Sequence, residues 1–212
     1  MKHVLGGALT LVLSTAATAE TFKADVWADN WFALYAKGSK VGEDRISIAT
    51  ERSFNAESFT FQAERPFTLA IIAKDFKEND TGLEYIGTRK QQMGDGGLIL
   101  QIKNAAGDIV AVSNSDWRCK VIHNAPSNKA CAKERTPRVG QGACGFEASS
   151  PPRGWTANYF DDSDWPYATE YQKRDVRPKG GYTKISWDRA AEFIWGPDLE
   201  TNNTMLCRLK VY

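Results

Sequence analysis

The chain has 212 residues, 27 basic and 26 acidic side chains, and a net charge of +1. No basic block stands out, which argues against a nucleic-acid partner. Seven Trp, ten Phe and seven Tyr are many for this length and point to a large aromatic core or a binding surface.

The first element reads as a secretory signal peptide over residues 1–19. Lys2 and His3 precede an apolar run from Val4 to Leu13, and Ala17-Thr18-Ala19 forms a small-residue cleavage site. That run is too short to span a bilayer, which takes about 20 apolar residues, and no later stretch is longer. The expected product is a single domain over 20–212, periplasmic or secreted, with no transmembrane segment. With Lys2 removed, its basic and acidic side chains balance.

The apolar pattern then follows period two. Phe22, Ala24, Val26 and Ala28 alternate with Lys23, Asp25 and Trp27. Tyr35 to Gly42 reads as a hairpin with glycine at its turn. Phe59 to Ala63 alternates again, and the continuous run Phe67 to Ala73 reads as a central strand. Strands are expected at Leu98 to Ile102 and Ile109 to Val112, joined by the turn Asn104 to Asp108. In the last strand Met205, Cys207, Leu209 and Val211 face the core, with Arg208 and Lys210 on the other side. Helix signals are weak; Asp188 to Ala191 is the best candidate. Many short strands between Gly, Asn and Asp turns predict an all-β sandwich or barrel.

Residues 120–153 break this pattern. They are rich in Lys, Ala, Pro, Ser and Gly and read as an irregular excursion held by disulfides. The cysteines are Cys119, Cys131, Cys144 and Cys207, an even number with no C-x-x-C pair, so two disulfides are expected instead of a zinc site. Three pairings are open. Cys119–Cys207 with Cys131–Cys144 is favoured, because it ties the strand carrying Trp117 to the last strand and closes a small loop in the excursion.

Three stretches in order carry a family resemblance. Ala28-Asp29-Asn30-Trp31-Phe32-Ala33-Leu34-Tyr35-Ala36-Lys37-Gly38 with Val41-Gly42 is similar to an "ADN…ELYVNG…VG" opening, with Ala36-Lys37 where Val-Asn is usual. Gly96-Gly97-Leu98-Ile99-Leu100-Gln101-Ile102 leading to Ser115-Asp116-Trp117-Arg118 is similar to "GGLIA…SDxSWK". Gly154-Trp155, Phe160-Asp161-Asp162-Ser163-Asp164-Trp165, Phe193-Ile194-Trp195-Gly196 and Leu206-Cys207-Arg208 look like a "W…FDDSxW…A…IW…FR" ending. Together they resemble the galactose-binding-like jelly-roll domains, which include sugar-binding modules of glycoside hydrolases. The resemblance implies a jelly-roll β-sandwich whose end loops often bind carbohydrate and which often carries a structural calcium, although many such domains serve only as scaffolds; no other cofactor is required.

The candidate site residues follow from residue chemistry. A sugar ring stacks its apolar face on an exposed indole, which nominates Trp31, Trp117 and Trp187 as ligand contacts, with Trp187 the most exposed and Trp195 buried. Asp161 and Asp162 could contact ligand or calcium, or serve the loop backbone. As a catalytic pair they suit a carboxylate hydrolase poorly, because adjacent carboxylates do not flank a sugar. Asp29 and Asn30 either offer hard oxygen ligands for calcium at a strand end or form a turn in which they satisfy local backbone N–H groups, and Asp80, Asp95 or Asp108 could complete a calcium site. His123, the only histidine after the leader, reads as a surface residue. These features point to an exported non-catalytic module that binds glycan, or alternatively to a β-sandwich that contacts an extracytoplasmic protein.

Overall fold

A computed structural model describes residues 18–212. The expected leader therefore lies outside the described residues, apart from its last two. In chain order the strands are β1 (Glu20–Asp29), β2 (Trp31–Ala36), β3 (Ser39–Glu43), β4 (Asn55–Ala63), β5 (Phe67–Lys74), β6 (Leu83–Glu84) and β7 (Gln92–Met93). They continue as β8 (Gly97–Asn104), β9 (Ile109–Val112), β10 (Arg118–Asn124), β11 (Glu147–Ala148), β12 (Thr169–Tyr171), β13 (Phe193–Trp195) and β14 (Asn202–Val211).

Two six-stranded antiparallel sheets form the body. Sheet A has the order β12-β13-β8-β1-β4, with β9 also on β8; sheet B has the order β11-β10-β14-β5-β2-β3. Period-two alternation sets which side chains meet between them. Phe22, Val26, Leu100 and Ile102 from sheet A join Phe32, Leu34, Leu69, Ile71, Met205 and Cys207 from sheet B in one core. The run Phe67 to Ala73 is the interior strand that its composition predicts, paired with β14 on one side and β2 on the other. Lys37 and Gly38 take the positive φ values (51° and 87°) that turn the β2–β3 hairpin.

The chain also folds back over both outer faces. Outside sheet A, Trp27, Ile99 and Phe193 are covered by Val176, Tyr182 and Trp187. Outside sheet B, Ala70, Ile122 and Leu206 are covered by Trp155, Trp165 and Phe160. This explains why Trp27, on the face opposite the core in β1, is fully buried.

Two sequence expectations are corrected. The excursion is shorter than 120–153, because residues 120–124 continue β10 against β14. Asp188 to Ala191 is a turn in which the Asp188 carboxylate accepts the Ala190 N–H (2.9 Å), and the one short α-helix among the described residues, α1, is Lys173–Val176. A side chain that satisfies its own turn competes with the first helical hydrogen bonds.

Both disulfides match the favoured pairing: Cys119–Cys207 and Cys131–Cys144. Cys119 and Cys207 are cross-strand partners on β10 and β14, with both sulfurs in the main core. Cys131 and Cys144 join two 3-10 turns and pack on Leu83, so the excursion is pinned to the β6–β7 hairpin at one end of the sheets.

Candidate functional site

The same end of the body gathers acidic side chains from distant parts of the chain. Asp29 ends β1 in sheet A, Asp75 follows β5 in sheet B, and Asp95 lies in the glycine-rich turn before β8. One carboxylate oxygen from each lies within 4.8 Å of the other two. Backbone pairing fixes this meeting: Asp29 stands opposite Gly97 at the start of β8, and the Asp75 N–H donates to the Asn203 carbonyl (2.9 Å). Gly94 is required here, since a Cβ at that position would collide with the Asp75 carboxylate.

Asp29 is 0% exposed and Asp75 2%. All four of their carboxylate oxygens are buried and lack a hydrogen-bond partner. Buried polar atoms are nearly always satisfied, because stranding one costs about 1–3 kcal/mol and more for a charge. Burial pushes both carboxyls well above the usual carboxylate range; Asp95 adds repulsion at Asp29, and Asp29 adds it at Asp75. Glu84 on β6 faces the same cluster, and burial raises it to about 7 although the Gln92 amide donates to it (2.7 Å). Lys179 compensates part of this charge, its ammonium meeting Asp95 at 2.8 Å.

A donor set made only of carboxylate oxygens suits a hard cation such as Ca²⁺, Mg²⁺ or Mn²⁺, and not the softer metals that favour thiolate or imidazole. The unpartnered oxygens of Asp29 and Asp75 fit such an ion, and Asp95 opens the cluster to a mixed polar cleft beside Arg174 and Lys129.

The structure divides the residues expected to bind calcium. Asp29 lies in the acidic cluster, as does Asp95. Asn30 does not: its Oδ1 accepts the Phe76 N–H (2.6 Å) and its Nδ2 donates to the Glu51 carbonyl (3.1 Å), so the amide ties three loops together. Asp80 pairs with Lys77 and His123. Asp108 sits in the β8–β9 turn at the opposite end of β8, where Asn104 donates to it. Asp75 was missed, and its only sequence signal is an acidic residue directly after an apolar central strand.

The expected ligand residues do not converge. Trp117 is 0% exposed; its indole lies in the main core and its N–H donates to the Val112 carbonyl (2.8 Å), which removes it as a stacking platform. Trp187 is half-buried outside sheet A, stacked on Tyr182. Trp31 lies outside sheet B, with the Lys74 ammonium 5.1 Å from its ring centroid. Asp161 accepts the Ser163 N–H (3.0 Å) within its own turn. Asp162 is ion-paired to Arg208 (2.7 Å), so the Asp161–Asp162 step gives the hydrolase reading no support. Trp195 is buried as expected, whereas His123 is also largely buried, between Asp80 and Asn203, because the excursion folds over it.

The raised carboxyls have a pH consequence. In a chelator, the folded protein holds protons on Glu84 that the unfolded chain releases near pH 4.5, so stability is expected to fall as pH rises from about 4.5 to 7. Carboxylates held low, such as Asp25 and Asp198, lose their contribution only as pH falls below 3.8, a separate window. Urea midpoints in EDTA at pH 5 and pH 8 check this; a higher midpoint at pH 8 would contradict it.

Comparison with family models, with curated proteins and with solved structures finds no match to this chain.

Proposed function

We propose that this chain is an exported, non-catalytic binding module of jelly-roll type, whose loop end is organised by a divalent cation and whose ligand is a glycan. The observation that carries the cation is the pair Asp29 and Asp75, four buried carboxylate oxygens with no partner, joined by Asp95. The glycan rests on the family resemblance of the three sequence stretches. Both disulfides, and the lack of any described helix long and apolar enough to cross a membrane, are compatible with an oxidising compartment.

Asp29, Asp75 and Asp95 would hold the ion. When bound, it neutralises the cluster and joins the end of β1, the end of β5 and the turn before β8. Lys179 offsets part of the same negative charge through Asp95.

Calcium at about 100 times its dissociation constant is expected to stabilise the protein by about 2.7 kcal/mol over EDTA, a rise of about 5–10 °C in Tm for a chain of this size. Asp75→Asn is expected to abolish that rise while raising Tm in EDTA, because it removes an unpaired buried acid. Calorimetry of both proteins tests the cation; no response to Ca²⁺, Mg²⁺ or Mn²⁺ would refute it. A glycan array with and without calcium tests the ligand. A calcium response with no glycan bound would favour a second reading, a protein-contact body, for which Tyr159 (87% exposed) and Tyr167 (60% exposed) offer aromatic contact area.

A further inference from the structure

The outer face of sheet B is only partly covered. Trp155, Trp165 and Phe160 close one half. Over the other half runs a groove of about 440 Å³ between β5, β10 and the segment after β11. That volume lies within the range of small-molecule sites.

Strand register sets its chemistry. Lys74 on β5 stands opposite Trp31 on β2 and Thr204 on β14, and Thr204 stands opposite His123 on β10. This makes one polar row across the sheet. Beside it lie aliphatic side chains: Ile72 on β5, Ile122 on β10, and Ile48 from the loop above.

The charges in the groove are unequal in their pairing. Lys77 is neutralised by Asp80 at 2.6 Å, and Asp80 also meets His123 Nε2 at 3.0 Å. Asp75 contributes to the wall, but its carboxylate oxygens are closed off and belong to the cation cluster. Lys74 is the cation left without a carboxylate among the described residues; its ammonium rests over the Trp31 ring. That placement covers one face of the Trp31 indole, which disfavours a stacked pyranose there. An aliphatic floor with one unpaired ammonium at its edge is complementary to a ligand with an apolar chain and a single negative head.

We infer that this groove binds an amphipathic carboxylate, with its chain on Ile72 and Ile122 and its head on Lys74 and the Thr204 hydroxyl. The site shares the Asp75 wall with the acidic cluster but uses none of its carboxylate oxygens, and it does not depend on the glycan reading.

Octanoate is the probe, titrated calorimetrically into the purified protein. One octanoate per chain is expected. Lys74→Met is expected to weaken it by about tenfold or more, since a charge-assisted contact is lost. Octan-1-ol, which keeps the chain and lacks the charge, is expected to bind Lys74→Met and the parent within about threefold of each other. Ile72→Ser is expected to weaken both probes. Melting curves confirm that each variant is folded, and Lys74→Gln serves as the second head-group variant. Absence of octanoate binding would overturn the inference. So would unchanged affinity in both Lys74 variants, or displacement of octanoate by galacturonate, which would give the groove to a sugar acid.

Discussion

Replacing Cys119 and Cys207 together by alanine is expected to lower stability by about 4–5 kcal/mol, against about 3 kcal/mol for Cys131 and Cys144. The difference follows from loop length. The first bridge spans a sequence separation of 88 and the second 13, and the entropy that a cross-link removes from the unfolded chain grows with the logarithm of that span. Whole domains are stable by about 5–15 kcal/mol, so the first loss is a large fraction of the total. Cys119 and Cys207 also fill the main core, where both are nearly inaccessible. The second pair secures a peripheral cluster under the excursion. Urea denaturation of the two double variants gives the comparison. Equal losses would show that loop length is not the controlling term. A loss at the first pair below about 1 kcal/mol would show that strand pairing alone holds β10 to β14.

Asp162→Ala is expected to cost about 3 kcal/mol, and Arg208→Met more. Arg208 projects from β14 away from the core, yet it is only 2% exposed. Its Nε donates to Asp162 (2.7 Å), its Nη1 to the Trp155 carbonyl, and its Nη2 to the carbonyls of Ala157 (3.1 Å) and Phe160 (3.2 Å). One guanidinium therefore holds three backbone carbonyls of the segment that covers sheet B. Removing Asp162 leaves a buried cation without its counter-charge, a defect that costs about 3–5 kcal/mol where the pair is fully closed. The lower figure applies because the Asp162 side chain is 30% exposed and water replaces part of the loss. Removing Arg208 instead strands the Trp155 and Phe160 carbonyls and leaves Asp162 without its cation, at about 1–3 kcal/mol for each buried acceptor; the Ala157 carbonyl keeps the Phe160 N–H. Chemical denaturation measures both, and limited proteolysis between Trp155 and Trp165 reports the release of the segment. Protection of that segment in Arg208→Met would contradict the clamp. A change of less than about 0.5 kcal/mol in Asp162→Ala would return Asp162 to the pool of ligand candidates.

Much of the body was readable from residue order. Period-two runs located β1, β4 and β14, apolar runs bounded by turns located β5, β8 and β9, and the alternation in β14 placed Cys207 in the core. The even cysteine count and the strand contexts of Cys119 and Cys207 favoured the pairing that is found. The candidate site was half legible. Asp29, which ends a strand, and Asp95, one of three turn aspartates, are among the candidates that residue order offers, whereas Asp75 is hidden behind an apolar run and Asn30 takes the second of its two readings, a side chain that satisfies loop backbone groups.

The sequence by itself determined which side chains share a face within each strand, since that depends only on the two-residue repeat of an extended chain. Only the tertiary structure decided which outer faces are covered, and hence that Trp27, Arg208 and His123 are buried while part of the Ile72 face stays open. It alone brought Asp29, Asp75 and Asp95 to one point. Those outcomes depend on where long connections return across a sheet and which strand ends become neighbours. No local period encodes such contacts, because the residues that make them are far apart in the chain and are joined only by sheet register.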